Sequence, residues 1–310
     1  MSTHAARRRG RAREIETLDE LDVVAARSLA GDRTMAGWQV QDLDLRDRTE
    51  ALLPLDPTGA LFLGCDLTSA QEEHLRAGGA LVFPEVPDVP FDPWRAHLYS
   101  PADLYADLDA GYAATPDARI YAWSQQATRE GSLKDLLAAA LHDSSVDDAL
   151  TEVLVGRDVV GVMGGHALER DDPAYADAAR LGRTLAAGGL TVATGGGPGA
   201  MEAANLGARL CEQDPSVLEQ VLTRLARVPG FRDDVTAWAR VALEAVADLG
   251  DSGRSLGIPT WHYGHEPPNP FASVVAKYFR NAIREDVLLE VCRAGLVFLP
   301  GAAGTLQEVF

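Results

Sequence analysis

The dominant rhythm of this chain is a series of short apolar runs, each broken by glycine and followed by a helical period. DVVGVMGG at 158–165 is continuous and apolar, the pattern of a strand buried on both faces of a parallel sheet. Asp171, Asp172 and Pro173 then start a helix with one apolar face, stopped by Gly188 and Gly189. LTVATGGGPGAMEAANLGARLC at 190–211 is strand, glycine turn and helix, and 212–250 is a charged helical insertion. SLGIPTWHYGHEPPN at 255–269 predicts a strand and its loop, and 271–293 a long helix. AGLVFLP at 294–300 predicts another buried strand, and GAAGTLQEVF a turn entering a helix. This alternation predicts an α/β domain over 157–310, with a doubly wound parallel sheet, helices on both faces and right-handed crossovers.

The first half of the chain is patterned differently. Residues 1–34 are polar and weakly periodic and are expected to form a disordered tail, with Arg7, Arg8, Arg9, Arg11 and Arg13 as a solvated run. Residues 35–150 are expected to form a small α/β region that precedes the main domain. Its strand signals are AGWQVQDLDL, GALFLGCDL at 59–67 and GALVFPEV at 79–86. TSAQEEHLRAG predicts a helix capped by Thr68 or Ser69. A proline-rich loop follows, then helices over roughly 102–155. No internal repeat stands out, and this region shows no chemistry of its own.

Charge narrows the partners. Forty-six acidic against 28 basic residues leave a formal net charge of −18, which argues against a nucleic-acid partner. Cys65, Cys211 and Cys292 are far apart, with neither disulfide nor metal-ligand spacing, and fit small buried hydrophobes in a reducing compartment. No apolar run approaches the length of a membrane span and the N-terminus has no hydrophobic signal core, so a cytoplasmic protein without a membrane partner is expected.

Two turns carry the candidate chemistry. In TGGGPGAMEAAN (194–205), four glycines and a proline stand between a buried strand and a helix. Glycine lets backbone amides approach an anion with no Cβ in the way, and the helix start adds unpaired N–H groups and a positive dipole end. The spacing is neither the dinucleotide fingerprint nor the P-loop. LPGAAGTLQE (299–308) repeats the layout. Thr305 offers a hydroxyl to a phosphate or a cap to the helix, and Glu308, one turn on, is either a reactive carboxylate or a capping-box partner. Two such turns at the carboxyl edge of one sheet point to a phosphate-bearing ligand.

GGGPGAMEAAN followed about 100 residues later by PGAAGTLQE resembles the Lonely Guy (LOG) family, over 157–310. The resemblance implies a Rossmann-like fold, a homodimer and phosphoribohydrolase activity on nucleoside 5′-monophosphates, giving free base and ribose 5-phosphate. Carried over by position, the catalytic residues are Glu308 and Arg284. The phosphate turn falls on Gly301, Gly304 and Thr305, and Gly195, Gly196, Gly197, Gly199 and Met201 line the other side of the nucleotide. A carboxylate suits the oxocarbenium character that develops when a glycosidic bond breaks, and a guanidinium holds phosphate or base. For Arg284 the residues alone also allow a salt bridge on its own charged helix. His166, Glu202, Arg280 and His265 are further candidates at the cleft. The loop cluster of Trp261, His262, Tyr263, His265 and Glu266 suits base stacking, ribose pairing or plain loop structure.

Three departures separate the chain from the family pattern. Ala302 replaces the second glycine of the second turn, Glu285 follows the arginine where lysine is usual, and the spacing from Arg284 to Glu308 is one residue longer. Two functional readings therefore stand. One is a purine nucleoside monophosphate hydrolase. The other is a protein that holds a nucleotide or molybdopterin-type cofactor without turnover. Neither a cofactor nor a metal is expected for the enzyme. Pyridoxal-phosphate decarboxylation is not expected, since Lys134 lies outside the main domain and Lys277 is placed on a helix with no cofactor motif beside it. The chain stops at Phe310, about one turn into a helix, and the resemblance implies that more follows.

Overall fold

A computed structural model describes residues 13–249, 255–262 and 266–300, and the chain divides into two units, residues 1–96 and 97–310. The first unit contains β1 (Arg13–Ile15), α1 (Leu18–Ala30), β2 (Trp38–Gln41), α2 (Thr49–Leu52), β3 (Leu61–Leu63), α3 (Ser69–Ala77) and β4 (Leu81–Phe83). Its four strands pair parallel in chain order, β1-β2-β3-β4. Ile15, Val40, Phe62 and Val82 stand opposite one another across the ladder and form one buried column. Thr68 caps α3 through a capping box with Gln71.

This unit corrects two expectations. Residues 13–34 of the expected tail are folded, because Ile15, Leu21, Val24 and Ala25 belong to the core of the unit. A repeat is also present: VQDLDL from Val40 and FLGCDL from Phe62 place matching side chains on successive rungs. The third position of each, Asp42 or Gly64, has a left-handed backbone with φ of 52° and 64°. The unit is thus a short stack of strand–helix rungs, in the manner of a solenoid.

The second unit begins with α4 (Pro101–Leu104), two 3₁₀ turns, α5 (Pro116–Glu130) and α6 (Leu133–Val153). Next come β5 (Val159–Met163), α7 (Pro173–Ala187), β6 (Thr191–Thr194), α8 (Ala200–Arg209), α9 (Pro215–Leu225) and α10 (Val235–Leu249). β7 (Ser255–Gly257), β8 (Val274–Val275), α11 (Asn281–Val291) and β9 (Gly295–Phe298) complete the described residues. All five strands are parallel, in the order β8-β7-β6-β5-β9. The chain winds outward from β5 to β8, then returns to pair β9 on the other side of β5. This is a Rossmann-like, doubly wound sheet whose switch point lies between β5 and β9, where such sheets open a crevice at their carboxyl ends.

Here the boundary expected near 150 moves to Ala96/His97, because Leu98, Val146, Ala149 and Leu150 share one core with β5, β7 and α11. The stretch after α8 folds as the helices α9 and α10, and its Leu218, Leu222, Leu225 and Ala242 pack against Tyr175, Ala178 and Ala203 of α7 and α8. The long helix expected over 271–293 begins only at Asn281. Before it, the β-branched pair Val274 and Val275 extends the sheet beside β7. β9 was expected to be buried, but Gly295 and Leu296 are exposed, since its one neighbour among the described strands is β5.

Candidate functional site

The glycine turn after β6 is held by a network of short polar side chains. Thr194 Oγ1 donates to Asn205 Oδ1 at 2.6 Å and accepts the Gly196 amide at 3.0 Å. Asn205 Nδ2 donates to the Leu256 carbonyl, while its Oδ1 accepts Asn269 Nδ2 at 3.0 Å. The Asn269 amide in turn donates to the Gly196 carbonyl at 2.8 Å. All three side chains are fully or nearly fully buried. The network ties the end of β6, the middle of α8 and the loop after β7 to one turn.

Glycine is required in this turn for space and for conformation. Gly196 and Gly199 have φ of 71° and 76°. A Cβ on Gly196 would stand 2.6 Å from Pro259 Cδ, and one on Gly199 would stand 2.3 Å from the Gly165 carbonyl oxygen. That carbonyl accepts the Ala200 amide at 3.0 Å, so the turns after β5 and β6 interlock. Gly199 is the N-cap of the ten-residue helix α8 and has no side chain to satisfy the helix start.

Two charged side chains from later in the sequence reach the turn at neighbouring glycines. Arg284 sits in the first turn of α11, is 8% exposed, and would have its Nη1 3.9 Å from a Cβ on Gly195. Its Nη2 donates to Asn281 Oδ1 at 2.7 Å and lies 3.7 Å from Glu285 Oε1. The guanidinium thus combines both anticipated arrangements, a helix-side ion pair and an approach to the glycine turn. Arg280 is exposed at the N-cap of α11, and its amide donates to Asp143. At the other glycine, Glu266 Oε2 would lie 3.4 Å from a Cβ on Gly197, with Met201 Cε at 3.1 Å. His166 is half-buried, and its backbone packs against Gly199.

Glu202 does not face this cleft. It is fully buried and ion-paired with Arg170, whose Nε donates to its Oε1 at 3.0 Å. Arg170 Nη1 also donates to the Trp238 carbonyl, and its guanidinium lies 4.4 Å from the Trp238 ring centroid. Burial pushes the Glu202 carboxyl up, and the Arg170 charge opposes that shift. The pair fastens the start of α8 to α10.

The aromatic loop also divides. Trp261 is buried, stacks at 4.7 Å from Phe279 and donates Nε1 to Asp117 Oδ1 at 2.8 Å. It is core, not a platform for a base. Asp117 Oδ1 also takes Lys277 Nζ at 2.5 Å, and its Oδ2 takes the Tyr112 hydroxyl at 2.7 Å. Lys277 is therefore the inner half of a buried ion pair in an extended segment, not a residue on a helix as expected. Burial pushes its ammonium down, against the pull of Asp117.

The second turn and its carboxylate, Gly301, Gly304, Thr305 and Glu308, lie outside the described residues, as do Tyr263 and His265. Among the described residues, the Leu299 amide donates to the Met163 carbonyl at 2.9 Å, beside the glycines that end β5. Among the described residues no three His, Cys, Asp or Glu stand close enough to hold a metal ion. No helix among them is long and apolar enough to cross a membrane.

Asn205 and Asn269 were the residues that pattern alone did not single out. Asn205 sits inside the quoted GGGPGAMEAAN, and its signal was a polar residue on an otherwise apolar helix face. No curated protein matches the chain. A family model described as the SLOG cluster4 family, of a superfamily that includes LOG-like Rossmann proteins, matches residues 157–212, the segment from β5 through the interlocked glycine turns to the end of α8.

Proposed function

We propose that this protein is a LOG-like nucleoside 5′-monophosphate phosphoribohydrolase. The observation that carries the reading is the buried Arg284 guanidinium beside Gly195, on a turn that opens α8 at the carboxyl edge of the sheet. Glycine amides, a helix start and an arginine fork together favour a phosphorylated ligand. The likeness of 157–212 to the SLOG cluster4 family supports the same class of ligand. In the reaction, water adds its oxygen to C1′ of the ribose and the C1′–N bond breaks. The base leaves with a proton, and ribose 5-phosphate remains. Arg284 holds the substrate, and Glu308 activates the water or steadies the oxocarbenium ion.

Incubation of the full chain with AMP, GMP, CMP and IMP tests this. Free base is expected from at least one purine nucleotide, and Glu308→Gln should abolish it. Release of no base from any of the four would reject the enzymatic reading. Ala302 favours a second reading, in which the added methyl changes the phosphate turn and the cleft binds a nucleotide without cleaving it. Tight binding without product, unaffected by Glu308→Gln, would establish that alternative. The homodimer implied by the LOG resemblance belongs to the same proposal, and light scattering on the full chain tests it.

A further inference from the structure

The loop after β7 brings a carboxylate to the glycine turn and fixes it there. Asn269 binds the turn through its amide, to the Gly196 carbonyl at 2.8 Å, and binds α8 through its side chain, to Asn205 at 3.0 Å. Asn269 Oδ1 also accepts the Phe271 and Ala272 amides, which fixes the path of its own loop. Glu266, three residues earlier, is half-buried with Oε2 3.4 Å from the Cβ position of Gly197. Its charge also acts on the buried Lys277 ammonium, in the direction that favours the charged form. The same turn therefore carries a cation beside Gly195 and an anion beside Gly197, two residues apart.

That arrangement sorts the parts of a nucleotide. A phosphate placed next to Glu266 would meet a like charge at short range in a partly dry cleft. It belongs on the Arg284 side. An ionised carboxylate is acceptor-only and takes two hydrogen bonds side by side, which matches two neighbouring hydroxyl donors. The ribose lies close to the phosphate in a nucleotide, as Gly197 lies two residues from Gly195 in the turn.

We infer that Glu266 is a specificity-determining residue of this cleft, accepting hydrogen bonds from the vicinal 2′- and 3′-hydroxyls of the ribose. The inference rests on the proposed nucleotide site. It also makes the cleft selective for ribonucleotides over 2′-deoxyribonucleotides.

Binding or kcat/KM is measured on the full chain with AMP, 2′-deoxy-AMP and IMP, for the parent, Glu266→Gln and Glu266→Asp. The parent should prefer AMP over 2′-deoxy-AMP by about tenfold or more, the size of a hydrogen bond to a charged group. In Glu266→Gln that preference should shrink to about twofold, through loss of AMP affinity alone, and Glu266→Asp should keep an intermediate preference. A parent that binds both adenine nucleotides equally, or a Glu266→Gln variant that keeps the full preference, overturns the role of Glu266 and leaves the nucleotide site standing. Loss of discrimination between AMP and IMP instead overturns it in favour of base reading. Failure of the parent to bind any of the three defeats the nucleotide site itself. The melting temperature of each variant separates these outcomes from misfolding, and the isosteric Gln and shorter Asp give two independent routes to a folded variant.

Discussion

Gly207 of α8 rests directly on the backbone of Ala179 in α7: a Cβ on Gly207 would stand 1.7 Å from the Ala179 carbonyl oxygen. The reciprocal contact is nearly as close, with a Cβ on Gly182 at 2.1 Å from the Ala204 carbonyl oxygen. The two helices meet backbone to backbone, and α8 carries the glycine turn at its start. Gly207→Ala must push them apart. The cost of such overpacking is about 1–3 kcal/mol, or several degrees of melting temperature in a domain of this size. Thermal unfolding checks it, and a variant as stable as the parent would contradict the close crossing.

Arg284 and Arg280 are one helical turn apart, but only Arg284 approaches the glycine turn. Arg284→Ala should weaken AMP binding by roughly tenfold to a hundredfold, as expected for loss of a charge-assisted hydrogen bond. Arg284→Lys should recover only part, because an ammonium lacks the planar fork. Arg280→Ala should leave affinity within about twofold, as most exposed substitutions do. Equal losses at the two positions would place the binding cation elsewhere.

Asp117 serves Lys277, Trp261 and Tyr112 at once. Asp117→Ala strands a buried ammonium and should cost about 3–5 kcal/mol. Pairing that change with Lys277→Met removes the stranded charge and should return much of the loss. Denaturant unfolding of the single and double variants measures the recovery. A double variant no better than Asp117→Ala would show that the pair is not the source of the effect.

In the first unit, Asp42 should make stability depend on pH. Dehydration and the Asp92 and Glu85 carboxylates push its carboxyl up from 3.8 to about 6. The folded chain then holds this proton more tightly than the unfolded chain does, so stability falls as pH rises from about 4 to about 6 and stays lowered above. Asp42→Asn removes the charge while tolerating the left-handed backbone at φ of 52°. It should raise the melting temperature near pH 7 and leave it unchanged near pH 3.5. A shift of equal size at both values would rule out titration as the cause.

Much of the second unit was legible because its signals are local. The run from Val159 to Met163 is apolar throughout, and Asp172, Pro173 and Gly188 bracket α7 as cap, first position and stop. The glycine turn showed itself by its composition. What escaped depends on contacts far apart in the chain. β8 is two residues long and owes its strand character to pairing with β7, so the segment around it passed for helix. The rungs of the first unit repeat at uneven spacings of 22 and 20 residues across the ladder, with few identical side chains, which hides the period. Glu202 carried the composition of a site residue, and only the position of Arg170, 32 residues earlier, makes it internal. Glu266 was one acidic residue in an aromatic loop until Asn269 fixed where that loop lies.

The hydrogen bonds among Thr194, Asn205 and Asn269 also bear on the heat and entropy of binding. A turn whose carbonyl and hydroxyl groups are already engaged has little conformational freedom left to lose when a ligand arrives. The ordering cost then falls on the ligand's own rotatable bonds and on the few side chains that close on it. Calorimetry should accordingly find a heat-capacity change that tracks the apolar surface covered by the ligand, without the larger signature of a segment that folds on binding.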